Sequence, residues 1–436
     1  MICLKSRVIN NASWIVGCKI IQSLISFIIG MITARYLGPS RYGLISYAAS
    51  VVAFFQPIVK LGFDSTLVQE LINSPNEEGR IIGTSCGLSI VSSLASIIGI
   101  VSFTFLVNAS ETETITVCFL YSFLLIFQAS EMTQYWFQSK LNSKFPSIAA
   151  LIAYICVSIY KIYILVTGKG VRWFAISHVI EVAIISALLF VLYYRCGGQK
   201  LAFSFLVGKR MLKKSKYYIW SGLMVILFQQ TDRIMLKLML GETETGYYSA
   251  ALTCVGITAF VFGAIIDSAR PLILEGYTVS KHVFETRITL LFSIVAILSL
   301  GQSLAMTVLA KPLIIVLYGS EYAPAINILR ISVWFVTFGY YGVVRNVWIL
   351  AEEKQKWLLP INIIGALVNV VGNFIFIVWF GAYGAALASV ITQFITNFVL
   401  CYFFKPMRPV GKLMLCSFNP KYLCKCLTEF RMSRSH

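Results

Sequence analysis

Apolar residues along this chain gather into twelve long runs separated by short polar breaks, at 10–34, 43–63, 81–107, 115–137, 147–167, 172–194, 218–240, 247–269, 288–310, 326–350, 358–380 and 383–404. Each run is close to the ~20 residues with which a helix crosses ~30 Å of hydrocarbon. The ~10-residue alternating segments of a membrane β-barrel do not stand out. The pattern therefore predicts an all-α polytopic membrane protein with about twelve transmembrane helices. Composition agrees, since 58% of residues are hydrophobic and only 12% are charged, against roughly 25% charged in an average soluble domain. With a mean hydropathy of +0.80, a water-soluble fold is excluded. Lys5, Arg7, Asn10 and Asn11 precede an apolar run to Ala34 that lacks an A-x-A-like site, so the first span reads as uncleaved.

Charge supplies the orientation. With both termini on the inner side, 24 of the 36 Lys and Arg residues fall in inner segments. Five (Arg35, Arg41, Lys169, Arg172, Lys311) fall in outer ones, and seven lie within spans or at their ends. That asymmetry predicts cytoplasmic termini and a cytoplasmic stretch from Arg195 to Lys216. The net charge of +18 is thereby a topology signal and gives no reason to expect nucleic acid as a partner.

A frame repeats across the chain. Leu37-Gly38, Tyr42-Gly43 and Ser46-Tyr47-Ala48-Ala49 recur as Leu240-Gly241 and Gly246-Tyr247-Tyr248-Ser249-Ala250-Ala251. Six spans separate the two copies, so the halves share one orientation. The chain divides accordingly into six-helix lobes at 1–205 and 206–405, followed by a basic tail at 406–436.

No catalytic constellation is present. There are three histidines, no H-E-x-x-H and no phosphate-cradling G-x-x-x-x-G-K-[ST], so neither an enzyme nor a cofactor is expected. The eleven cysteines include no C-x-x-C, and the tail group Cys416, Cys424, Cys426 and His436 fits no standard metal spacing.

Ionisable residues inside the spans are the remaining chemistry, because they are costly in lipid and face polar interiors. In span ten, Arg330, Trp334, Phe338, Tyr341, Arg345 and Trp348 share one helix face. Guanidinium pairs bidentately with phosphate, and aromatic faces pack on pyranose rings; the alternative is that the arginines snorkel while the aromatics pack helix on helix. Span one presents Asn11, Lys19, Gln22, Ser26 and Thr33. Span four presents Gln128, Glu131, Tyr135 and Gln138, and span seven carries Gln229, Gln230, Asp232, Arg233 and Lys237. Asn362, Asn369 and Asn373 in span eleven and Ser389, Gln393 and Asn397 in span twelve complete a set that implies a hydrated cavity, or interhelical hydrogen bonds. The substrate-binding candidates are Lys19, Gln22, Arg233, Lys237, Arg330, Trp334, Tyr341 and Arg345. Among the intramembrane carboxylates Glu131, Glu181, Asp232 and Asp267, the first three are candidates for ion coupling. Glu131 and Glu181 have no obvious sequence neighbour, whereas Asp232 adjoins Arg233.

The motifs also carry a resemblance. Asn11-x-x-Trp14, the stretch from Ala34 to Gly43, Leu61-Gly62-Phe63-Asp64, Tyr135-Trp136-Phe137-Gln138, Asp232-Arg233-Ile234-Met235-Leu236, Leu317-Tyr318-Gly319-Ser320-Glu321-Tyr322 and Gly381-Ala382-Tyr383-Gly384-Ala385-Ala386 resemble, in order and spacing, the O-antigen or repeat-unit flippases of polysaccharide biosynthesis. The resemblance spans essentially the whole chain. It implies the multidrug/oligosaccharidyl-lipid/polysaccharide exporter fold, with two six-helix lobes around a central cavity, in the bacterial inner membrane. It further implies an undecaprenyl-pyrophosphate-linked oligosaccharide as substrate, membrane lipids as surroundings, and a repeat-unit polymerase and chain-length regulator as partners. Ser139 and Lys140 depart from the family pattern, and the two extra C-terminal helices of lipid II flippases are absent. A drug/cation antiporter of the same fold should carry more cavity carboxylates than cations, and a polysaccharide polymerase or ligase should carry a long outer loop. The residues match neither of these well.

Overall fold

The computed structural model describes residues 2–418, with side chains described for Trp14 and from 17 onward. Among these residues there are helices and no strands. They group into two compact units, Met1–Lys237 and Leu238–His436.

The first unit contains α1 (Ile2–Lys60), α2 (Leu67–Asn73), α3 (Glu78–Val107), α4 (Thr112–Ser122), α5 (Leu124–Gln128), α6 (Thr133–Ser139), α7 (Lys144–Val166), α8 (Val171–Arg195) and nearly all of α9 (Phe205–Leu240). The second contains α10 (Glu242–Gly256), α11 (Ala259–Val279), α12 (Lys281–Tyr318), α13 (Ala325–Ala351), α14 (Leu358–Phe380), α15 (Ala382–Phe394), a π-helical turn at Ile395–Val399, α16 (Leu400–Phe403) and α17 (Arg408–Cys416).

Among the described residues, ten helical stretches are long and apolar enough to cross a membrane. Two features reconcile them with about twelve crossings. Gly17–Lys60 is 44 residues long, about 66 Å of helix at 1.5 Å per residue, which is two bilayer cores. Its axis breaks at Gly38, where φ is 71° and ψ is 171°, a region reserved for glycine, and Pro39 follows without an amide donor. The other feature is α9, which is not among the ten because lysines crowd its first turns and Asp232, Arg233 and Lys237 its last, although its 36 residues include the 218–240 run read as a span from the sequence.

The repeated frame is written into the backbone. Gly241 opens α10 at φ 96° and ψ −174°, nearly the conformation of Gly38. Both copies use a residue without Cβ at the same point.

Two apolar cores hold the first unit. One gathers Tyr47, Val51, Val117, Cys118, Ile164 and Phe174. The other gathers Phe63, Leu67, Ile81, Trp136, Phe137, Tyr193 and Met211. The stretch from Arg195 to Lys216 is mostly helix, since only 196–204 lies between α8 and α9. That segment is stitched to the start of α3 by Ala202 N–H donating to the Gly79 carbonyl at 3.1 Å and Gly79 N–H donating to Gln199 Oε1 at 3.0 Å. Arg210 and Lys214 then reach Glu70 at 2.8 and 2.7 Å, and Arg210 also reaches Glu77 at 3.2 Å. Two cations of the basic stretch, Arg210 and Lys214, are thus paired within the unit.

The second unit has a core of Phe262, Phe284, Phe292, Tyr341, Trp348, Phe398, Met407 and Met414. The Gly381-x-x-Gly384 motif has two separate tasks there. Gly381 turns the chain at φ 61°, and Gly384 lets α15 approach the end of α14 so closely that a Cβ would lie 1.9 Å from the Phe376 carbonyl oxygen. Backbone cannot rotate away as a side chain would. Gly384→Ala should therefore cost about 3 kcal/mol or more, the upper end for overpacking. Fluorescence-detected size exclusion of extracted protein checks this, and a wild-type melting temperature would contradict it.

Candidate functional site

In the first unit, the structure brings Glu131 and Glu181 into one polar cluster. Span four is not a single helix: after α5 it passes through a 3₁₀ turn, Ala129–Met132, before α6 resumes. Ser93 on α3 donates to the Leu125 carbonyl at 2.8 Å, which also accepts from the Ala129 N–H at the start of that turn. Glu131 lies on the irregular turn, hydrogen-bonded to Gln128, and feels the charges of Lys60 and Glu181. Glu181 on α8 lies 3.8 Å from His178 Nδ1 and within the field of buried Lys161 on α7. The His178 ring packs against Tyr121 with centroids 5.0 Å apart.

Two carboxylates, an ammonium and an imidazole thus meet within membrane-spanning helices, groups whose chemistry allows a proton or cation to bind against a fixed opposite charge. Sequence reading located the two carboxylates and missed His178 and Lys161 as their companions. The i, i+3 spacing of His178 and Glu181 was the available signal.

The cationic candidates of this unit have different surroundings. Lys19 is exposed and Gln22 half-buried on α1. Half-buried Arg233 donates to Gln230 Oε1 at 3.1 Å, an oxygen that also accepts from Ser50 at 3.0 Å. Asp232 is buried on α9. Lys237 is also buried and reaches Glu111 Oε2 at 2.6 Å. Thr114 and Asn108 donate to the same carboxylate at 2.7 and 3.2 Å, and Tyr47 donates to Asn108 at 3.0 Å. Desolvation pushes the Glu111 carboxyl upward, but the bonds from Lys237, Thr114 and Asn108 outweigh it and hold it below the usual carboxylate range. Lys237 is accordingly a strut between α9 and the α3–α4 connection.

In the second unit, the expected arginine–aromatic face divides. Arg330 is exposed and donates to Asn327 at 3.1 Å, with Trp334 half-buried one turn on. Tyr341 and Arg345 turn into the core. Tyr341 hydrogen-bonds Ser417 at 3.0 Å and stacks on Phe292 and Phe418. Arg345 is 3% exposed and donates to the Thr396 carbonyl at 2.8 Å. The π-helical turn shifts that carbonyl out of the regular α ladder, and the guanidinium takes it up. Gly342 makes the fit possible, because a Cβ there would lie 2.3 Å from Asn397 Oδ1. The span-ten stripe is therefore one exposed end and one structural end, and the difference arises from packing partners distant in sequence.

Asp267 pairs with Arg270 at 3.1 Å. No group of His, Cys, Asp and Glu among the described residues is arranged to hold a metal; Cys424, Cys426, His436 and the Asn11 side chain lie outside those residues.

Taken together, the helices define a multi-pass membrane protein whose intramembrane polar groups are grouped inside each unit. Residues 8–276 match the family described as "Polysaccharide biosynthesis protein", and the chain belongs to that family. It is 22% identical over 409 residues to the capsular polysaccharide biosynthesis protein CapF of Staphylococcus aureus, covering 91% of this chain and 99% of that one. Its fold is that of the lipid II flippase MurJ in an inward closed conformation, with a TM-score of 0.75, 16% identity and coverage of 92% and 90% of the two chains. The inward-facing structure of a multidrug resistance transporter of the MATE family superposes with a TM-score of 0.66 at 14% identity, over 90% of this chain and 95% of the other.

Proposed function

We propose that this protein flips an oligosaccharide carried on undecaprenyl pyrophosphate from the cytoplasmic to the periplasmic leaflet of the bacterial inner membrane, by alternating access and with both termini cytoplasmic. The observation that carries this reading is membership of the polysaccharide biosynthesis family on a fold shared with a lipid II flippase. The cations support it: each unit carries an exposed one, Lys19 in the first and Arg330 in the second, that forms no ion pair among the described residues, and a cation without a protein carboxylate is suited to pair with phosphate. Arg233 and Gln22 extend the first unit's set, and Trp334 offers a face for a sugar ring. Ion coupling falls to Glu131 and Glu181, with Asp232 as the third candidate. The repeat unit is of the O-antigen type, so the product is handed to a polymerase and its chain-length regulator.

The test is surface polysaccharide in a strain lacking its own repeat-unit flippase. Plasmid-borne wild-type protein should restore it, and Lys19→Ala combined with Arg330→Ala should lower it at least tenfold, since hydrogen bonds to charged partners contribute about 1.5 to 3 kcal/mol each. Full polysaccharide from a well-expressed double variant would remove these cations from the substrate site. No restoration by the wild type in strains of several repeat-unit types would remove the flippase reading itself.

A further inference from the structure

The segment after the last span is not a simple tail. Phe403 ends one crossing and Gln355 begins another, so the 352–357 connection and residues 404–418 meet at the same end of the second unit. Lys354 Nζ donates to the Pro406 carbonyl at 3.2 Å, and the rings of Trp357 and Phe404 lie 5.0 Å apart. From there α17 runs with two distinct faces. Val410, Leu413, Met414 and Ser417 are buried in the unit's core. Ser417 hydrogen-bonds Tyr341 on α13 and accepts, through its carbonyl, from Ser293 on α12 at 3.0 Å.

The outward face repeats at four and three residues as Arg408, Lys412 and Leu415, with Lys405 just before the helix. Arg408 is held by the Tyr402 carbonyl at 3.0 Å, and no carboxylate pairs with Lys405, Arg408 or Lys412 among the described residues. The acids of this end are Glu352, which pairs with Lys354 at 3.3 Å, and exposed Glu353. Lys356 is exposed beside them. Large apolar side chains border the cations: Phe403, Leu415 and Phe418 are 74%, 55% and 48% exposed. Cations and bare apolar groups on one face, a few residues beyond a span end, match the boundary between headgroups and acyl chains.

We infer that α17 and Lys405 form a docking surface for anionic phospholipid headgroups. Lys405, Arg408 and Lys412 take the phosphates, while Leu415 and Phe403 enter the acyl layer. Because the buried face of the same helix is bonded to α12 and α13 through Ser417, lipid charge at the membrane surface secures the seat of both long helices. The flipped substrate has no part in this contact, so it stands apart from the transport reading.

Hydrogen exchange of the 408–418 peptide tests it, using the full chain in phosphatidylcholine vesicles with or without phosphatidylglycerol. Phosphatidylglycerol should slow exchange there. A cation near an anionic surface contributes about fivefold in affinity, so Lys405→Gln, Arg408→Gln and Lys412→Gln together should weaken the contact about 100-fold and remove the protection. Arg408→Lys should retain it, and ~1 M salt should erase it by shortening the Debye length to ~3 Å. Unchanged protection in the triple variant, equal protection in phosphatidylcholine alone, or the same protection from inorganic phosphate without anionic lipid would each overturn the assignment. Since only exposed side chains change, exchange in α9 should match the wild type and report folding.

Discussion

Exchanging Glu131 and Glu181 together for glutamine should leave a normally inserted protein whose export no longer responds to an ion gradient. Glutamine keeps size and hydrogen bonding but cannot carry the charge. In the first unit each of the two carboxylates feels the charge of a lysine, Lys60 for Glu131 and Lys161 for Glu181, and Glu131 also feels Glu181. Neutralising one alone leaves the second to respond, so the single variants should keep part of the gradient dependence. One charge moved through 100 mV is worth about 2.3 kcal/mol, roughly fiftyfold in an equilibrium ratio. The double variant should therefore lose about that factor in vesicles where a gradient of ~100 mV is imposed. The measurement is movement of a lipid-linked oligosaccharide with the pH or sodium gradient set in turn. A double variant that still responds to either gradient would assign coupling elsewhere, with Asp232 next to be tested.

Arg345 gives the second large effect, and here the outcome separates packing from substrate capture. Arg345→Ala should lower abundance sharply. It strands the Thr396 carbonyl that the guanidinium now satisfies, at about 1–3 kcal/mol, and it opens a cavity in a close-packed core, where truncating a large side chain typically costs about 2–5 kcal/mol. Arg345→Met fills most of that volume without the charge, and replacing buried ions with apolar groups of similar size is often neutral. The methionine variant should then be abundant and should export polysaccharide close to the wild-type level, measured against immunoblot in a flippase-deficient strain. Abundant methionine protein without export would return Arg345 to the substrate path.

The sequence revealed much of this architecture because hydrocarbon imposes length and apolarity on every crossing. The runs at 172–194 and 358–380 match α8 and α14 to within a few residues. The break at Gly38 was marked by the Gly-Pro pair, and its repetition at Gly241 by the shared frame. Nothing marked the 3₁₀ turn at Ala129–Met132, since its residues are acceptable in a helix. Lys237 and Glu111 are 126 positions apart, so their pairing left no local trace. For Arg345 the helical spacing was visible, but which face of α13 meets the π-helical turn depends on the packing of α15. Periodicity identifies shared faces; only tertiary neighbours decide which face is enclosed.

The pairing of Lys214 with Glu70 also bears on how the protein is made. The two residues are 144 positions apart, which at about 5–20 residues per second is roughly 7 to 29 s of synthesis. During that interval Glu70 has no partner from α9, and when the lysines and arginine of α9 emerge they are still unneutralised. Arg210 and Lys214 are then free cations on the nascent chain and become paired once the unit closes around them. A count of charges on the nascent chain and a count on the finished surface therefore differ for the same residues. Removing Glu70 and Glu77 would change the folded protein without altering the cations of the nascent chain.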